Sequence, residues 1–413
     1  MIKKLALFIM ILLFGAVSVL PMPVFDKYIF ITKAVLAFGC IVLLASRRFS
    51  VFRLIDAPLW IFLGLMSLNI FYTKDARVAL DTYLKLSLPL VLLYYLISEA
   101  RLTGKYFDIF AKAVCVFSFA VSLFAIYESV FGVNPLYKYY IANPFYERYI
   151  RGFVRPMSTQ FNPAALGTYL IVSLPFSLML ARQQKSFFKT LALCNIVLVS
   201  AVNILTFSRG NFIAFIVVVL IYLWSQRRFQ SMAGFGVLIV LLVIICLFLP
   251  YPFSKFGEQL VPAPGKSILS PYILNRWVTT WRMANAHPFV GLGFQHFRIE
   301  FAQFYPGKEI VVWEKMIADN MYLTLLAETG ILGFLGFVYF LFNAIKKGIR
   351  KLTQPKTGEN EKRRLFIVLL ALTGFLLNLA GYEMFYWPNQ YFLFCILMGL
   401  LSGLIKESRI NNG

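Results

Sequence analysis

The chain has 413 residues, of which 60% are hydrophobic and 14% are charged, and its formal net charge is +22. Soluble domains usually have about 45–50% apolar and about 25% charged residues, so this composition excludes a soluble globular protein and indicates a membrane protein. In a membrane protein the positive charge predicts basic cytoplasmic loops and basic outer loops that face an anionic substrate. We therefore expect membrane lipids, and no nucleic acid, among the partners.

Cysteine and histidine are too sparse to predict a disulfide framework or a metal centre. The five cysteines lie in apolar runs, and the two histidines, His287 and His296, belong to no CxxC or HExxH pattern. Such cysteines are typical of small core residues. We predict no cofactor and no dedicated zinc site.

Apolar runs predict an all-α polytopic membrane protein with about twelve transmembrane helices, since about 20 residues cross the hydrocarbon core. The runs lie at about 5–20, 28–46, 57–72, 82–98, 109–131, 163–181, 190–207, 211–225, 232–250, 320–345, 365–382 and 388–405. The first run follows Lys3 and Lys4 and lacks a convincing cleavage site, so we interpret it as a retained helix rather than a signal peptide.

Charged residues divide the loops between the two sides of the membrane. With the N-terminus inside, the short inner loops are nearly all basic, and both termini lie inside. Eight cations between Lys346 and Arg364 form the densest part of this side. The outer side has a medium loop at about 132–162 and a long loop at about 251–319, and connections of this length usually have a function.

Four ionisable residues lie within about a turn of an end of a predicted helix: Lys33, Lys85, Lys112 and Glu128. Each lies near a helix end, which favours a side chain that extends to the membrane surface over a buried functional charge. No carboxylate is predicted in the middle of a span. This argues against an ion-coupled transporter, which usually needs one.

The first motif with chemical potential is Phe207-Ser208-Arg209-Gly210-Asn211, a very short outer turn between two apolar runs. An arginine fixed between two helix ends stays near the membrane surface, and its planar fork suits a phosphate or diphosphate. The alternative is an arginine that only anchors the helix at the interface.

The second motif lies in the long loop and runs from Ser270-Pro271 to the glycines at 291 and 293. Ser270 as N-cap and Pro271 at the first position predict a helix, which His287-Pro288 ends. Apolar residues follow one another at spacings of three, four and three positions, at Leu274, Trp277, Trp281 and Ala284. This spacing predicts an apolar stripe and therefore an amphipathic helix that lies on the membrane.

Two arginines of this helix, Arg276 and Arg282, are about 120° apart and are expected to meet different partners. A basic interfacial helix that binds lipid headgroups is the alternative to a substrate site.

The third motif is Asp319-Asn320, where the long loop re-enters the membrane, followed by Glu328-Thr329-Gly330. Asp319 is either the N-cap of the next helix or a general base at the membrane surface. Glu328 lies about two turns deeper among apolar residues, where a carboxylate needs a partner.

These motifs, in this order and around a long outer loop, resemble the O-antigen ligase and O-antigen polymerase superfamily. The likeness rests on Ser208-Arg209-Gly210, on the stretch from Arg276-Trp277 through His287-Pro288 to Gly291-Leu292-Gly293, and on Asp319-Asn320 with Glu328-Thr329-Gly330. Asn162-Pro163 with Pro175 extends it upstream. The resemblance divides the chain into N-terminal transmembrane helices at 1–189, a ligase-like domain at 190–345 that includes the periplasmic loop 251–319, and a C-terminal helix pair at 346–413.

The resemblance implies a metal-independent glycosyltransferase of the bacterial inner membrane. It would move a glycan from an undecaprenyl-diphosphate carrier to lipid A-core or another lipid-linked acceptor on the periplasmic side. By position, Arg209 and Arg276 would bind the diphosphate, and Asp319 stands where a ligase has histidine, which shifts weight toward a polymerase. We expect six further residues to contact the substrate: Arg282, Asn320, Tyr322, Glu328, His287 and Arg155.

Two other functions fit the same sequence. One is a transporter or flippase for polysaccharide or lipid-linked oligosaccharide, because twelve spans with both termini inside suit many transporters. The other is a non-enzymatic scaffold for envelope assembly. The absence of a visible internal repeat and the long basic outer loop favour the glycosyltransferase. The sequence specifies neither the sugar nor the acceptor.

Overall fold

The computed structural model describes residues 2–19, 56–102, 104–137, 149–150, 153–182, 187–249, 271–307 and 316–406, together with the single residues 253, 257 and 260. Thirteen α-helices lie within these ranges. They are α1 (Ile2–Val19), α2 (Ala57–Ser67), α3 (Ala76–Ala100), α4 (Lys105–Phe131), α5 (Pro163–Leu180), α6 (Phe187–Leu205), α7 (Arg209–Ser225), α8 (Phe229–Phe248), α9 (Pro271–Ala286), α10 (His296–Phe304), α11 (Met321–Leu352), α12 (Glu359–Leu379) and α13 (Pro388–Lys406).

The helices coincide with the apolar runs of the sequence, so an α-helical membrane protein is confirmed. Every predicted run except 28–46, which lies outside the described residues, falls on a helix. In the described part of the chain, seven helices are long and apolar enough to cross a membrane, namely α3, α4, α5, α6, α8, α11 and α13. The helices Ala57–Phe71 and Arg209–Ser225 are apolar but shorter. The total of about twelve spans stays a prediction.

Helix α13 lies in the middle of the bundle, whereas α8 lies at its edge. Nearly all side chains of α13 are buried, and it packs on α3, where Tyr391 donates to the carbonyl of Leu86 at 2.6 Å. Helix α8 buries only Cys246. A helix that is apolar all round and exposed in this way is suited to contact with lipid. Helix α3 belongs to the predicted N-terminal region 1–189, and α13 belongs to the predicted C-terminal region 346–413. Because these two helices pack together, the two regions share one core.

One end of the bundle collects the cations that the sequence assigned to the inner loops. Arg364 pairs with Asp108 at 3.3 Å, and Lys406 pairs with Glu99 at 2.7 Å. At the same end Arg182 bonds to Gln226. The medium loop, the turn at 206–208 and the link at 380–387 follow the opposite ends of the same helices. The bundle therefore has one basic end and one end that carries the motifs.

The prediction that Glu128 extends to the membrane surface is wrong. Its side chain is fully buried near the end of α4, and its carboxylate accepts from the backbone N–H of Met157 at 2.9 Å and of Ser158 at 2.7 Å. A buried carboxylate is tolerated where such donors compensate for lost water. Glu128 thus fastens the medium loop, which also contains a short hairpin of Tyr149–Ile150 and Phe153–Val154.

Candidate functional site

The loop after α9 is inserted into a break in helix α11. Gly330 has φ 63° and ψ −174°, so the helix is interrupted there. The carbonyls of Ala327 and Glu328 instead accept from the backbone N–H groups of Leu292 at 3.0 Å and Gly293 at 2.9 Å. In return, the N–H of Ile331 donates to the carbonyl of Pro288 at 2.8 Å. The loop therefore replaces the hydrogen bonds that the helix loses, as a membrane-embedded break requires.

Glu328 has a structural position in this joint. The carboxylate is fully buried and accepts from the N–H of Phe297 at 3.3 Å, in the first turn of α10, and from the hydroxyl of Tyr386. A carboxylate at a helix N-terminus satisfies backbone donors that have no partner within the helix. Glu328 therefore has the partners that its depth demands, and these contacts orient α10.

Helix α9 turns a face of mixed character to the protein, and this face includes both Arg276 and the fully buried Met283. Arg276 is 5% exposed, and Thr279 and Thr280 are buried beside it. Leu274 and Trp281 on the other face are 40% and 57% exposed. The prediction of an apolar stripe that includes Ala284 is thus wrong, because Ala284 is buried. Arg276 is directed into the protein, where Asp319 is its partner.

Arg276 and Asp319 form an ion pair that joins α9 to the start of α11. Beside it, the indole N–H of Trp277 donates to the carbonyl of Ala318 at 3.1 Å. The N-cap of α11 is Asn320, whose side chain accepts from the N–H of Tyr322 at 3.0 Å and of Leu323 at 3.2 Å. The alternative in which Asp319 is the N-cap is therefore wrong, and its carboxylate serves Arg276 instead.

The backbone at Asp319 is in the left-handed region, with φ 51°. Burial raises the pKa of this carboxyl above its ordinary value, and the nearby Arg276 opposes that rise. The side chain retains 29% of its exposure, so its carboxylate is not fully enclosed by protein. Asp319 is thus a partly desolvated carboxylate held beside a cation.

The link between α12 and α13 supplies two residues that the sequence reasoning missed, Glu383 and Tyr382. Glu383 is buried and accepts from the N–H of Ala318 at 3.0 Å and from the hydroxyl of Thr324 at 2.8 Å. Burial raises its pKa, and the hydrogen bonds from Ala318 and Thr324 act against that rise. Glu383 was detectable in principle, because it is the one acidic residue between Glu361 and Glu407.

The turn that carries Arg209 meets the same link from the other side. A Cβ placed on Gly210 would lie 3.6 Å from the Cα of Gly381, so the two backbones touch. Asn211 donates to the carbonyl of Ala164 at 3.1 Å, at the start of α5. Arg155 of the medium loop donates from Nε to the carbonyl of Thr206 at 2.8 Å. Burial lowers the pKa of Arg155. Arg155 therefore contacts the turn at 206–208, which directly precedes Arg209.

The remaining predicted site residues lie apart from this cluster. Arg282 is exposed and donates to the carbonyl of Phe304 at 3.4 Å, so it does face a different partner from Arg276. His287 is exposed at the end of α9. Tyr322 donates its hydroxyl to the carbonyl of Leu376 at 2.8 Å, which holds α11 to α12.

The stretch that contains most of these motifs also matches a known protein family. Residues 194–338 match the O-antigen ligase family. The resemblance predicted from the motifs is confirmed for this part of the chain, and it indicates a membrane glycan ligase or polymerase, a glycosyltransferase-like enzyme. Among curated proteins, none matches the chain significantly.

Within the described ranges, no three His, Cys, Asp or Glu side chains are grouped in a way that could hold a metal ion. Independence from metal stays a prediction.

Proposed function

We propose that the protein moves a glycan from an undecaprenyl-diphosphate carrier to a lipid-linked or lipid A-core acceptor at the periplasmic face of the bacterial inner membrane. The Arg276–Asp319 ion pair, in the stretch that matches the O-antigen ligase family, is the observation that carries this proposal. It sets a cation that suits a diphosphate beside a carboxylate that suits a hydroxyl group.

The reaction breaks the bond between the sugar C1 and the diphosphate oxygen and forms a bond between C1 and the acceptor oxygen. The acceptor hydroxyl gives its proton to Asp319, and undecaprenyl diphosphate leaves with the electron pair of the broken bond. Arg276 and Arg209 stabilise the negative charge that develops on the leaving group. A lipid diphosphate is already a good leaving group, so cations at the right place replace a metal ion.

The position of the site supports an outward-facing reaction. The motif residues lie at the end of the bundle opposite to the cation-rich end, which contains Arg364, Lys406 and Arg182. Positive residues favour the cytoplasmic side. Asp319 in place of the ligase histidine favours a polymerase, whose acceptor is another lipid-linked repeat unit.

The experiment supplies the purified full-length protein, in lipid nanodiscs, with a lipid-linked glycan donor and one of two acceptors. One arm contains lipid A-core and the other contains a lipid-linked repeat unit. We expect release of undecaprenyl diphosphate and a longer glycan product, mainly in the second arm. Movement of an intact donor across proteoliposomes without bond cleavage would instead establish the transporter alternative.

A further inference from the structure

Tyr382 lies between the two halves of the candidate site. Its neighbour Gly381 touches Gly210, next to Arg209, and its other neighbour Glu383 accepts from the N–H of Ala318, next to Asp319. Two carboxylates and two arginines act electrostatically on the hydroxyl group of Tyr382: Asp319, Glu383, Arg298 and Arg276. One side chain therefore borders both the diphosphate-binding arginines and the carboxylate of the proposed site.

The hydrogen bond between Asn162 and Tyr382 has a fixed direction. Asn162 is the N-cap of α5, and its Oδ1 accepts from the N–H of Ala164 at 2.7 Å and of Ala165 at 3.4 Å. Only the amide oxygen can accept these bonds, so Nδ2 is the atom that faces Tyr382. It donates to the tyrosine oxygen at 2.9 Å.

The tyrosine oxygen is therefore an acceptor in this bond, and its own hydrogen is left to donate elsewhere. Among the residues that the structure describes, none accepts that hydrogen. Burial raises the pKa of Tyr382, so the hydroxyl keeps its proton at any physiological pH. A donor that is oriented but unused in a site with two arginines is suited to an anionic oxygen.

We propose that Tyr382 donates a hydrogen bond to the diphosphate of the lipid-linked glycan donor, and that Asn162 orients it for this. The assignment rests on the proposed function. A diphosphate is favoured over the acceptor sugar because a hydrogen bond to a charged oxygen is stronger than one to a neutral hydroxyl, and because the contact of Gly381 with Gly210 sets the tyrosine beside the turn that carries Arg209. The bond strengthens as charge develops on the leaving oxygen, so Tyr382 contributes to both binding and the rate.

The test compares Tyr382→Phe with two substitutions at Asn162. Tyr382→Phe removes the donor. Asn162→Asp keeps the N-cap, but its carboxylate only accepts, so the tyrosine hydrogen turns away from the ligand. Asn162→Ser also keeps the N-cap, and its small hydroxyl leaves the tyrosine hydrogen available. Tyr222→Phe is the matched control, because the hydroxyl of Tyr222 donates to the carbonyl of Leu178 at 3.3 Å near the basic end, away from the candidate site.

The measurements are the affinity of the purified full-length protein for undecaprenyl diphosphate and the transfer kinetics with donor and acceptor varied separately. We expect Tyr382→Phe and Asn162→Asp to weaken carrier binding about tenfold or more, as for a lost hydrogen bond to a charged group. Asn162→Ser should lose much less, and Tyr222→Phe nothing. Adding Asn162→Asp to Tyr382→Phe should cost little more, which separates the turned hydroxyl from simple charge repulsion.

Unchanged carrier affinity in Tyr382→Phe overturns the assignment, as does an effect confined to the KM of the acceptor. Equal losses in Asn162→Ser and Asn162→Asp would show that only the packing of α5 matters. If the unmodified protein neither binds the carrier nor transfers glycan, the proposed function fails first. If it does both while Tyr382→Phe behaves identically, only the role of Tyr382 fails.

Discussion

Gly291 and Gly330 lie backbone to backbone, so that a Cβ on Gly330 would be 2.6 Å from the backbone nitrogen of Gly291. Each glycine also has a positive φ, 74° and 63° respectively. The contact allows the loop after α9 to enter the break in α11, and this brings the loop, α10 and the start of α11 together around Asp319. Neither position has room for a side chain.

We expect Gly291→Ala and Gly330→Ala to be strongly destabilising. The positive φ alone costs about 1–2 kcal/mol for a residue with a Cβ, and the overlap with backbone atoms adds to it. The thermal unfolding midpoint of the purified protein and its abundance in the membrane are the measurements. The matched control is Gly64→Ala in α2, where nothing lies within 4 Å of the new methyl group. Wild-type stability in both variants would contradict the joint.

The sequence predicted the components of this joint but not their assembly. The apolar runs define the helices because backbone groups in lipid must be satisfied within the helix. The glycines at 291 and 293 predicted a tight turn. No local pattern indicates that a turn at 288–293 fills a break some 40 residues later, since that pairing depends on tertiary contacts. Glu383 was missed for the same reason, because its partners, Ala318 and Thr324, are distant in sequence.

Arg276→Lys tests whether the planar fork matters at the ion pair. Lysine keeps the charge but not the paired donors, so we expect a loss of transfer of about tenfold or more at normal abundance. The control is Arg364→Lys, because Arg364 also pairs with a carboxylate, that of Asp108 at 3.3 Å, but at the basic end. Full activity in Arg276→Lys together with Arg276→Ala would reduce the pair to a structural contact.

Arg209 is the second predicted diphosphate ligand and is tested by the same two substitutions. Its turn is held by the contact of Gly210 with Gly381 and by the hydrogen bond from Asn211 to the carbonyl of Ala164. We expect Arg209→Ala and Arg209→Lys both to weaken carrier binding, the former more. Normal binding and transfer in both variants would identify Arg209 as an ordinary interfacial anchor.

The orientation of the chain is tested by single cysteines at exposed positions of the two ends. Lys266, in the long loop, lies outside the described residues, whereas Asn285 in α9 and Lys356 between α11 and α12 are exposed. An impermeant thiol reagent should label Asn285→Cys in intact spheroplasts and Lys356→Cys only after permeabilisation. The unmodified chain gives the background from the native cysteines. The reverse pattern would invert the topology and remove the periplasmic site.

The conformation of Asp319 explains which residue types this position accepts. Its φ of 51° is strained for most side chains but is adopted far more readily by Asp, Asn and His. The resemblance places a ligase histidine here, and aspartate meets the same backbone requirement with a different base. Substitutions among these three residues therefore change the chemistry with little effect on the backbone. Since Asn320 is the N-cap of α11, they also leave the helix start intact.

Asp319→Asn is expected to lower glycan transfer on the order of a hundredfold or more at normal membrane abundance, because an amide cannot take the acceptor proton. Asp319→His restores a base and should recover part of the loss. Near-normal transfer in Asp319→Asn would leave the residue as a partner of Arg276 only.

The pH dependence of transfer gives an independent test of the base. A general base acts only when deprotonated, so the rate falls as the pH drops through the pKa of Asp319. Burial raises that pKa, so the acid limb is expected at higher pH than for an ordinary aspartate, and Arg276 opposes this rise of the pKa. Removal of the cation in Arg276→Met should therefore shift the acid limb of the residual activity to higher pH. An acid limb that does not respond to Arg276→Met belongs to another group, and Asp319 is then not the base.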